Sequence, residues 1–204
     1  MKNNYKKILN NILKKKNNWL ITGVAGFIGS NILEVLLSNN QNVIGIDNFS
    51  SGRKKNIFKN LKNNKIFLFI KSDINKLKYD TFKNKNINYI IHLAAMTSVS
   101  NSIKKPKKCY KNNVDGFNNL LRCIIKIKSL KKIIYASSAA VYGNNNKKNS
   151  EKSKLNPLSP YAISKIENEK LAKFYSNKSH INFTGFRFFN IFGKNQDPKS
   201  QYSS

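Results

Sequence analysis

A chain of 204 residues with 40% hydrophobic content can bury a core of respectable size, and its net charge of +29, from 38 basic and 9 acidic residues, first points to a polyanion partner. The residue types point elsewhere: 35 of the basic residues are Lys and 3 are Arg, they are scattered singly and in pairs beside 34 Asn, and base-edge and bidentate phosphate recognition favour Arg. The composition reads as drift toward AT-rich codons, with polyanion binding only as a low-salt side effect and no specific nucleic-acid partner, and no run approaches the roughly twenty apolar residues of a membrane span.

Residues 1–18 place Tyr5, Ile8, Leu9, Ile12 and Leu13 among Lys and Asn at amphipathic spacing, which predicts a short helical extension lying on the main domain. The segment lacks the apolar core of a signal peptide and the Arg and Ser of a transit peptide, so a cytoplasmic location is expected. The apolar run Trp19 to Thr22 then leads into Gly23-Val24-Ala25-Gly26-Phe27-Ile28-Gly29, and a helical pattern continues from Phe27 to Leu37. Three glycines between a strand and a helix allow a tight turn, a backbone close to a pyrophosphate and close helix packing, while the helix N-terminus offers free N–H groups to the anion. A glycine triplet alone is equally compatible with a simple turn.

A second apolar run, Asn42 to Ile46, ends in Asp47, about twenty residues beyond the glycines, where a ribose-binding carboxylate belongs. An Asp there accepts hydrogen bonds from both ribose hydroxyls and repels a 2′-phosphate, whereas Arg53, Lys54 and Lys55 lie close enough to oppose that preference. The alternative for Asp47 is a turn residue at a strand end. Further apolar runs at 65–70, 88–93, 132–136 and 181–188 bring the expected strands to six, with helices at 107–128 and 160–177. This alternation predicts an α/β fold, a doubly wound parallel sheet with right-handed crossovers. Residues 144–154 read as a polar loop and 194–204 as a polar, unpacked tail. Cys109 and Cys123 form no CxxC and have too few partners for a disulfide framework or a metal site, so they are expected to be reduced thiols and no metal is expected.

The chemistry-bearing residues fall where this fold exposes them, beyond the carboxyl ends of the strands. Ser137 and Ser138 follow the fifth expected strand, and Phe189 and Asn190 follow the sixth. Tyr161 and Lys165 are four apart and share a face of a helix whose start is marked by Ser159 and Pro160. In isolation such a pair is an ordinary exposed Tyr/Lys couple. As a base it requires more: a phenol titrates near 10, and bringing it to about 7 takes roughly 4 kcal/mol. A neighbouring cation supplies about one to three pH units, so Lys165 together with a second positive charge would suffice.

GVAGFIGS, Asp47-Asn48-Phe49, Ser72-Asp73-Ile74, His92-Leu93-Ala94-Ala95, Ser137-Ser138, Val141-Tyr142-Gly143, YAISK and RFFNIFG occur in that order. With these motifs the chain resembles the extended short-chain dehydrogenase/reductases, and within them the nucleotide-sugar 4-epimerases, most of all the UDP-N-acetylglucosamine 4-epimerases of surface-polysaccharide synthesis. The resemblance implies a Rossmann-type sheet with helices on both faces over 19–193, an N-terminal extension over 1–18, and a tail over 194–204 at the start of a substrate region that is largely missing. It implies NAD as cofactor, held by Gly23, Gly26, Phe27, Ile28 and Gly29 at the pyrophosphate and by Asp47 and Asn48 at the adenosine ribose. Asp73 and Ile74 would meet the adenine, Leu93, Ala94 and Ala95 would line the cofactor, Asn113 would support that region as part of the cofactor site, and Phe189 would lie near the nicotinamide. Ser138, Tyr161 and Lys165 would be catalytic, the last two also touching cofactor, and Ser98, Ser138 and Asn190 would touch a UDP-sugar.

The resemblance also implies a homodimer through the helices at 107–128 and 160–177, with Ile124, Ile125, Ile127, Leu171 and Phe174 either supplying the interface or filling the core. Related 4,6-dehydratases carry Asp-Glu after the position of Ser138; here Ala139 and Ala140 stand there, leaving no acid and base for dehydration. Ser100 and Asn101 replace a Pro-Arg of the subgroup, removing an expected substrate-facing cation, and the subgroup continues for more than a hundred residues past Ser204.

Overall fold

The computed structural model describes residues 14–61, 65–145 and 148–197; the helix expected on Tyr5, Ile8, Leu9, Ile12 and Leu13 lies outside them. Six parallel strands form one sheet in the order β3-β2-β1-β4-β5-β6: β1 (Asn18–Thr22), β2 (Asn42–Asp47), β3 (Phe67–Lys71), β4 (Tyr89–His92), β5 (Lys132–Ser138) and β6 (Asn182–Phe188). Every neighbouring pair is parallel and in register over its length. The inner strands are nearly continuous Val and Ile runs because both of their faces are covered. Alternate residues of β1 serve opposite sides: Leu20 packs with Phe117, Leu120 and Leu121, whereas Trp19 and Ile21 pack with Leu33, Leu36 and Ile57. The edge strands β3 and β6 are only partly covered.

Helices α1 (Phe27–Ser38) and α2 (Lys54–Leu61) connect β1, β2 and β3; α3 (Val99–Lys104), α4 (Pro106–Tyr110) and α5 (Gly116–Ile124) lie between β4 and β5; α6 (Pro160–Ser176) precedes β6. The chain runs outward from β1 to β3 and then returns to place β4 beside β1, so strand order reverses between β1 and β4. A crevice opens beyond the carboxyl ends of these two strands.

The helix expected at 107–128 is a composite. It starts at Pro106, passes through a π-helical turn at Lys111–Asp115 and stops at Ile124. The π turn accompanies a close approach: a Cβ on Gly116 would stand 2.5 Å from Ile74 Cδ1, so glycine lets the helix press onto the 3-10 turn Ile74–Lys76. Of the candidate interface residues, Ile124 is fully buried, Ile125, Ile127 and Leu171 pack against the core, and Phe174 alone is half exposed. Ile124 therefore fills the core, and the other four keep exposed surface. Ser159 caps α6 as expected, its hydroxyl accepting from the Ala162 N–H at 3.1 Å, with Pro160 in the first turn.

Residues 194–197 also differ from the expected unpacked tail. The Lys194 ammonium reaches Glu34 at 2.9 Å, Asn31 Nδ2 donates to the Lys194 carbonyl at 2.7 Å, Asn195 Nδ2 donates to Ser30 Oγ at 3.0 Å, and Asp197 pairs with Arg53. Polar residues here pack by pairing with polar partners on α1 and before α2, which an apolar periodicity does not reveal.

On α6, Asn168 is buried, and among the described residues it is the side chain whose Oδ1 and Nδ2 both lack a hydrogen-bond partner. A buried amide without partners costs about 1 to 3 kcal/mol. Leu branches at the same carbon and carries no polar atom, so Asn168→Leu is expected to raise stability by about 1 kcal/mol in urea unfolding; an unchanged or lower midpoint would show that the amide is satisfied.

Candidate active site

The crevice floor is the glycine loop. Gly23 has φ +72°, and a Cβ there would stand 2.8 Å from the Ala94 nitrogen and 2.9 Å from the Leu93 carbonyl carbon. A Cβ on Gly29 would run into the Gly23 carbonyl oxygen. Both positions exclude a side chain, so the loop lies flat against the end of β4 and α1 begins directly above it. Gly26 takes the helix N-cap position with no side-chain cap, which leaves the first-turn N–H groups of Phe27 and Ile28 without intrahelical partners. An anion the size of a diphosphate fits the chemistry of such an end.

Asp47, at the end of β2 and 8% exposed, accepts from the Ala25 N–H at 2.9 Å through Oδ2 and from the Phe49 N–H at 2.7 Å through Oδ1. Its first role is to fasten the glycine loop to β2, and each carboxylate oxygen keeps a lone pair for a ribose hydroxyl. Phe49 is held at φ +58°, an uncommon state for a bulky residue that the Asp47 bond helps to fix. Asn48 reaches across to Asp73 Oδ2 at 3.0 Å. Burial pushes the Asp73 carboxyl up, but bonds from the Asn75 backbone and side chain and from Asn48, with Lys76 nearby, outweigh it and leave the group below its ordinary range. Ile74 is 7% exposed, its side chain turned into the core against Gly116, so a ligand could meet only its backbone rather than its side chain.

The opposite wall is the end of β4. Thr22 Oγ1 lies 2.7 Å from His92 Nδ1 and also meets the Leu93 and Ala94 N–H groups at 3.3 and 3.4 Å. Leu93, Ala94 and Ala95 line this side, all partly exposed. Asn113, aimed inward by the π turn and fully buried, accepts from Met96 N at 2.7 Å and donates to the Met96 carbonyl at 3.1 Å and to Ser164 Oγ at 2.9 Å. It braces the loop after β4, the support expected of it, and has no exposed surface for a ligand.

Lys165 is 2% exposed, its ammonium donating to the Ala136 carbonyl at 2.8 Å and lying 5.6 Å from the centroid of the Tyr161 ring. Burial lowers its pKa to about 8, with Cys109 acting the other way. At neutral pH the cation persists in a setting where water screens it little, so its field acts strongly on the neighbouring phenol. Tyr161 sits at the start of α6, its backbone N–H bonded to Ser102 Oγ at 3.1 Å. Ser138, at the end of β5, accepts from Ala140 N at 3.2 Å and stays partly exposed. Phe189 is 65% exposed beyond β6, with its ring 6.5 Å from that of Tyr142, and Asn190 is exposed beside it. Ser98 caps α3, its hydroxyl accepting from Asn101 N at 3.2 Å and lying 3.0 Å from Ser100 Oγ.

Comparison with known proteins matches residues 19–204 to the NAD dependent epimerase/dehydratase family. The chain belongs to that family. It is 39% identical over 185 residues, 89% of this chain and 58% of the relative, to a putative UDP-glucose 4-epimerase of Methanocaldococcus jannaschii. Among solved structures it resembles the UDP-N-acetylglucosamine 4-epimerase of Methanobrevibacter ruminantium in complex with UDP-N-acetylmuramic acid (TM-score 0.83, 35% identity, 93% of this chain and 60% of that one). It equally resembles the UDP-glucuronic acid 4-epimerase of Bacillus cereus in complex with UDP-glucuronic acid and NAD (TM-score 0.82, 35% identity, 90% and 60%). The chain thus spans about three fifths of the length of these relatives.

Within this epimerase/dehydratase fold, one cluster beside Ser138 had no assigned role, although Ser137, Tyr142 and Arg187 lie in the motifs quoted above and, of its side chains, only Glu169 lies outside them. Glu169 takes the Ser137 hydroxyl at 2.6 Å and holds Arg187 bidentately at 2.9 and 2.7 Å, each side chain about 20% exposed. Arg187 also donates to Tyr142 Oη and to the Glu151 carbonyl, both at 3.1 Å. Burial pushes the Glu169 carboxyl up, but Arg187 and Ser137 outweigh it and hold it below its ordinary range. The network ties β5, β6, α6 and the Ala139–Tyr142 turn together next to the catalytic candidates. Two signals were present in the sequence: Glu169 is four residues past Lys165, and Arg187 is one of 3 Arg in a Lys-rich chain.

Lys presents a point charge in place of the planar fork, so Arg187→Lys is expected to destabilise the fold by about 2 kcal/mol in urea unfolding; a loss below 0.5 kcal/mol, on the order expected of a solvent-exposed pair, would contradict the clamp. His92, 2% exposed and stacked on Phe117 at 4.5 Å, is lowered from 6.5 to about 3 by burial and then by Lys165. Between those values the unfolded chain binds the proton and the folded chain does not, so stability present above 6.5 is lost as pH falls toward 3, by about 1.4 kcal/mol per pH unit. Urea unfolding from pH 7 to 4 should therefore show a shallower acid loss for His92→Asn than for the parent chain.

Proposed function

We propose that this chain carries the cofactor and catalytic half of a UDP-sugar 4-epimerase, and that the sugar is UDP-N-acetylglucosamine or its 4-epimer, a precursor for surface polysaccharide in the cytoplasm. The observation that carries the reading is Lys165 buried under the Tyr161 ring and bonded to the Ala136 carbonyl, two residues before Ser138 near the carboxyl end of β5. Support for the sugar comes from the M. ruminantium neighbour, while relatives described for UDP-glucose and UDP-glucuronate share the same scaffold. Ala139 and Ala140 in the turn after Ser138 offer no carboxylate pair, which favours epimerisation over dehydration.

The residues present fit NAD: Gly23 and Gly29 leave a cradle that a Cβ would fill, the N–H groups of Phe27 and Ile28 in the uncapped first turn of α1 would hold the pyrophosphate, and Asp47, Asn48 and Asp73 would hold the adenosine end. Bound there, NAD supplies hydride acceptance and return at C4 of the sugar. Tyr161 takes the proton of the 4-hydroxyl as hydride leaves and gives it back as hydride returns, with Ser138 hydrogen-bonded to the same hydroxyl. The Lys165 cation stabilises the phenolate throughout. Ser98 and Asn190 lie on the substrate side, Phe189 on the nicotinamide side, and Leu93, Ala94 and Ala95 along the cofactor. A homodimer through α4, α5 and α6 belongs to the same reading, with Phe174 and Ile163, half exposed on α6, as its apolar contacts.

The share of the relatives' length that the chain spans favours a second reading, in which it binds NAD but turns over only with further residues. Incubation with NAD and UDP-N-acetylglucosamine, followed by chromatography for the 4-epimer, separates the two. Where turnover is seen, Tyr161→Phe is expected to keep NAD binding within about two-fold and to lower turnover by at least about 100-fold; loss of both together would make Tyr161 structural and sink the mechanism.

A further inference from the structure

The packed segment 194–197 has a consequence for which dinucleotide the crevice accepts. Three contacts hold its first residues on α1, and they deliver the Asp197 carboxylate to the Arg53 guanidinium. Arg53 stands close to the ribose carboxylate. Its backbone N–H donates to the Ala25 carbonyl at 3.0 Å, the Ala25 N–H donates to Asp47, and a Cβ on the preceding Gly52 would stand 2.8 and 2.9 Å from the two Asp47 oxygens. A guanidinium in that place, if free, is the side chain best shaped to grip a ribose 2′-phosphate through two parallel hydrogen bonds. Lys54 and Lys55, exposed on the first turn of α2, offer only solvated point charges.

We propose that Asp197 is a cofactor-specificity residue: by pairing with Arg53 it removes the cation that would recognise a 2′-phosphate. The proposal rests on the reading of the crevice as a dinucleotide site. A 2′-phosphate must then compete with Asp197 for Arg53 and face the Asp47 carboxylate, whereas a 2′-hydroxyl needs only the acceptors of Asp47. Selectivity at one end of the nucleotide is thus set by a residue from the far end of the chain.

Calorimetric titration of the cofactor-free 204-residue chain with NAD and with NADP tests this without any turnover. The parent chain should prefer NAD. Asp197→Asn should strengthen NADP binding by about five-fold or more while NAD affinity stays within about two-fold, and the gain should vanish in the Asp197→Asn/Arg53→Gln double variant. Glu34→Gln loosens the same segment at Lys194 without freeing Arg53, so it should leave the NADP to NAD ratio unchanged. An equal gain in Glu34→Gln, or parallel changes for both dinucleotides in Asp197→Asn, would overturn the specificity role while leaving the dinucleotide site standing. Absence of binding by either dinucleotide to the folded parent chain would overturn both.

Discussion

The crevice between β1 and β4 exists because the Gly23 backbone lies against the Leu93–Ala94 backbone, an approach that no side chain would permit. Everything assigned to the site is arranged around that contact. It brings the end of β1 level with the end of β4, seats α1 above the gap, and lets Asp47 reach the Ala25 N–H from β2. The reversal of strand order then leaves the gap uncovered by any crossover, so a ligand can lie across it. Thr22 and His92 reinforce the junction from within. Because His92 is neutral over the whole ordinary pH range, this polar pair places no charge beneath the site.

The other half of the site depends on a buried cation. Lys165 gives up hydration on entering the space between α6 and β5, and the Ala136 carbonyl and Tyr161 ring replace only part of it, which is why its proton is held less tightly than in water. The same loss of screening strengthens its pull on a phenolate. Such an arrangement is useful only if the helix carrying both residues cannot drift from the end of β5. The Glu169–Arg187 pair, with Ser137 and Tyr142, provides that restraint, four residues further along α6.

The Lys-rich composition gives the Arg residues a particular meaning. Where most cations are solvated Lys side chains, Arg53 and Arg187 both hold carboxylates, Arg187 on β6 with the planar fork and Arg53, before α2, through one nitrogen. The surplus of Asn has left its own mark in Asn168, a buried amide in a helix face that needs only apolar volume. Scattered surface charge and such isolated polar intrusions are compatible with the fold because neither interrupts the strand runs or the glycine loop.

The sequence by itself determined the sheet, its six strands and the glycine loop, because long apolar runs and obligatory glycines are local signals that a fold cannot trade away. It also located Asp47 and Ser138 at strand ends and Tyr161 and Lys165 on one face of the helix that follows β5, since their spacing follows from the same alternation. What only the tertiary structure decided was which of the remaining residues face the crevice. Ile74 carries a motif position yet turns into the core, while Asn113, expected to support the cofactor region, braces the loop after β4 from a π turn that has no sequence signature of its own. The Glu169–Arg187 clamp and the Arg53–Asp197 pair join residues far apart in the chain, and the packing of 194–197 is polar throughout. Hydrophobic periodicity reports what water expels, and it is silent on polar groups that meet only after the sheet has formed.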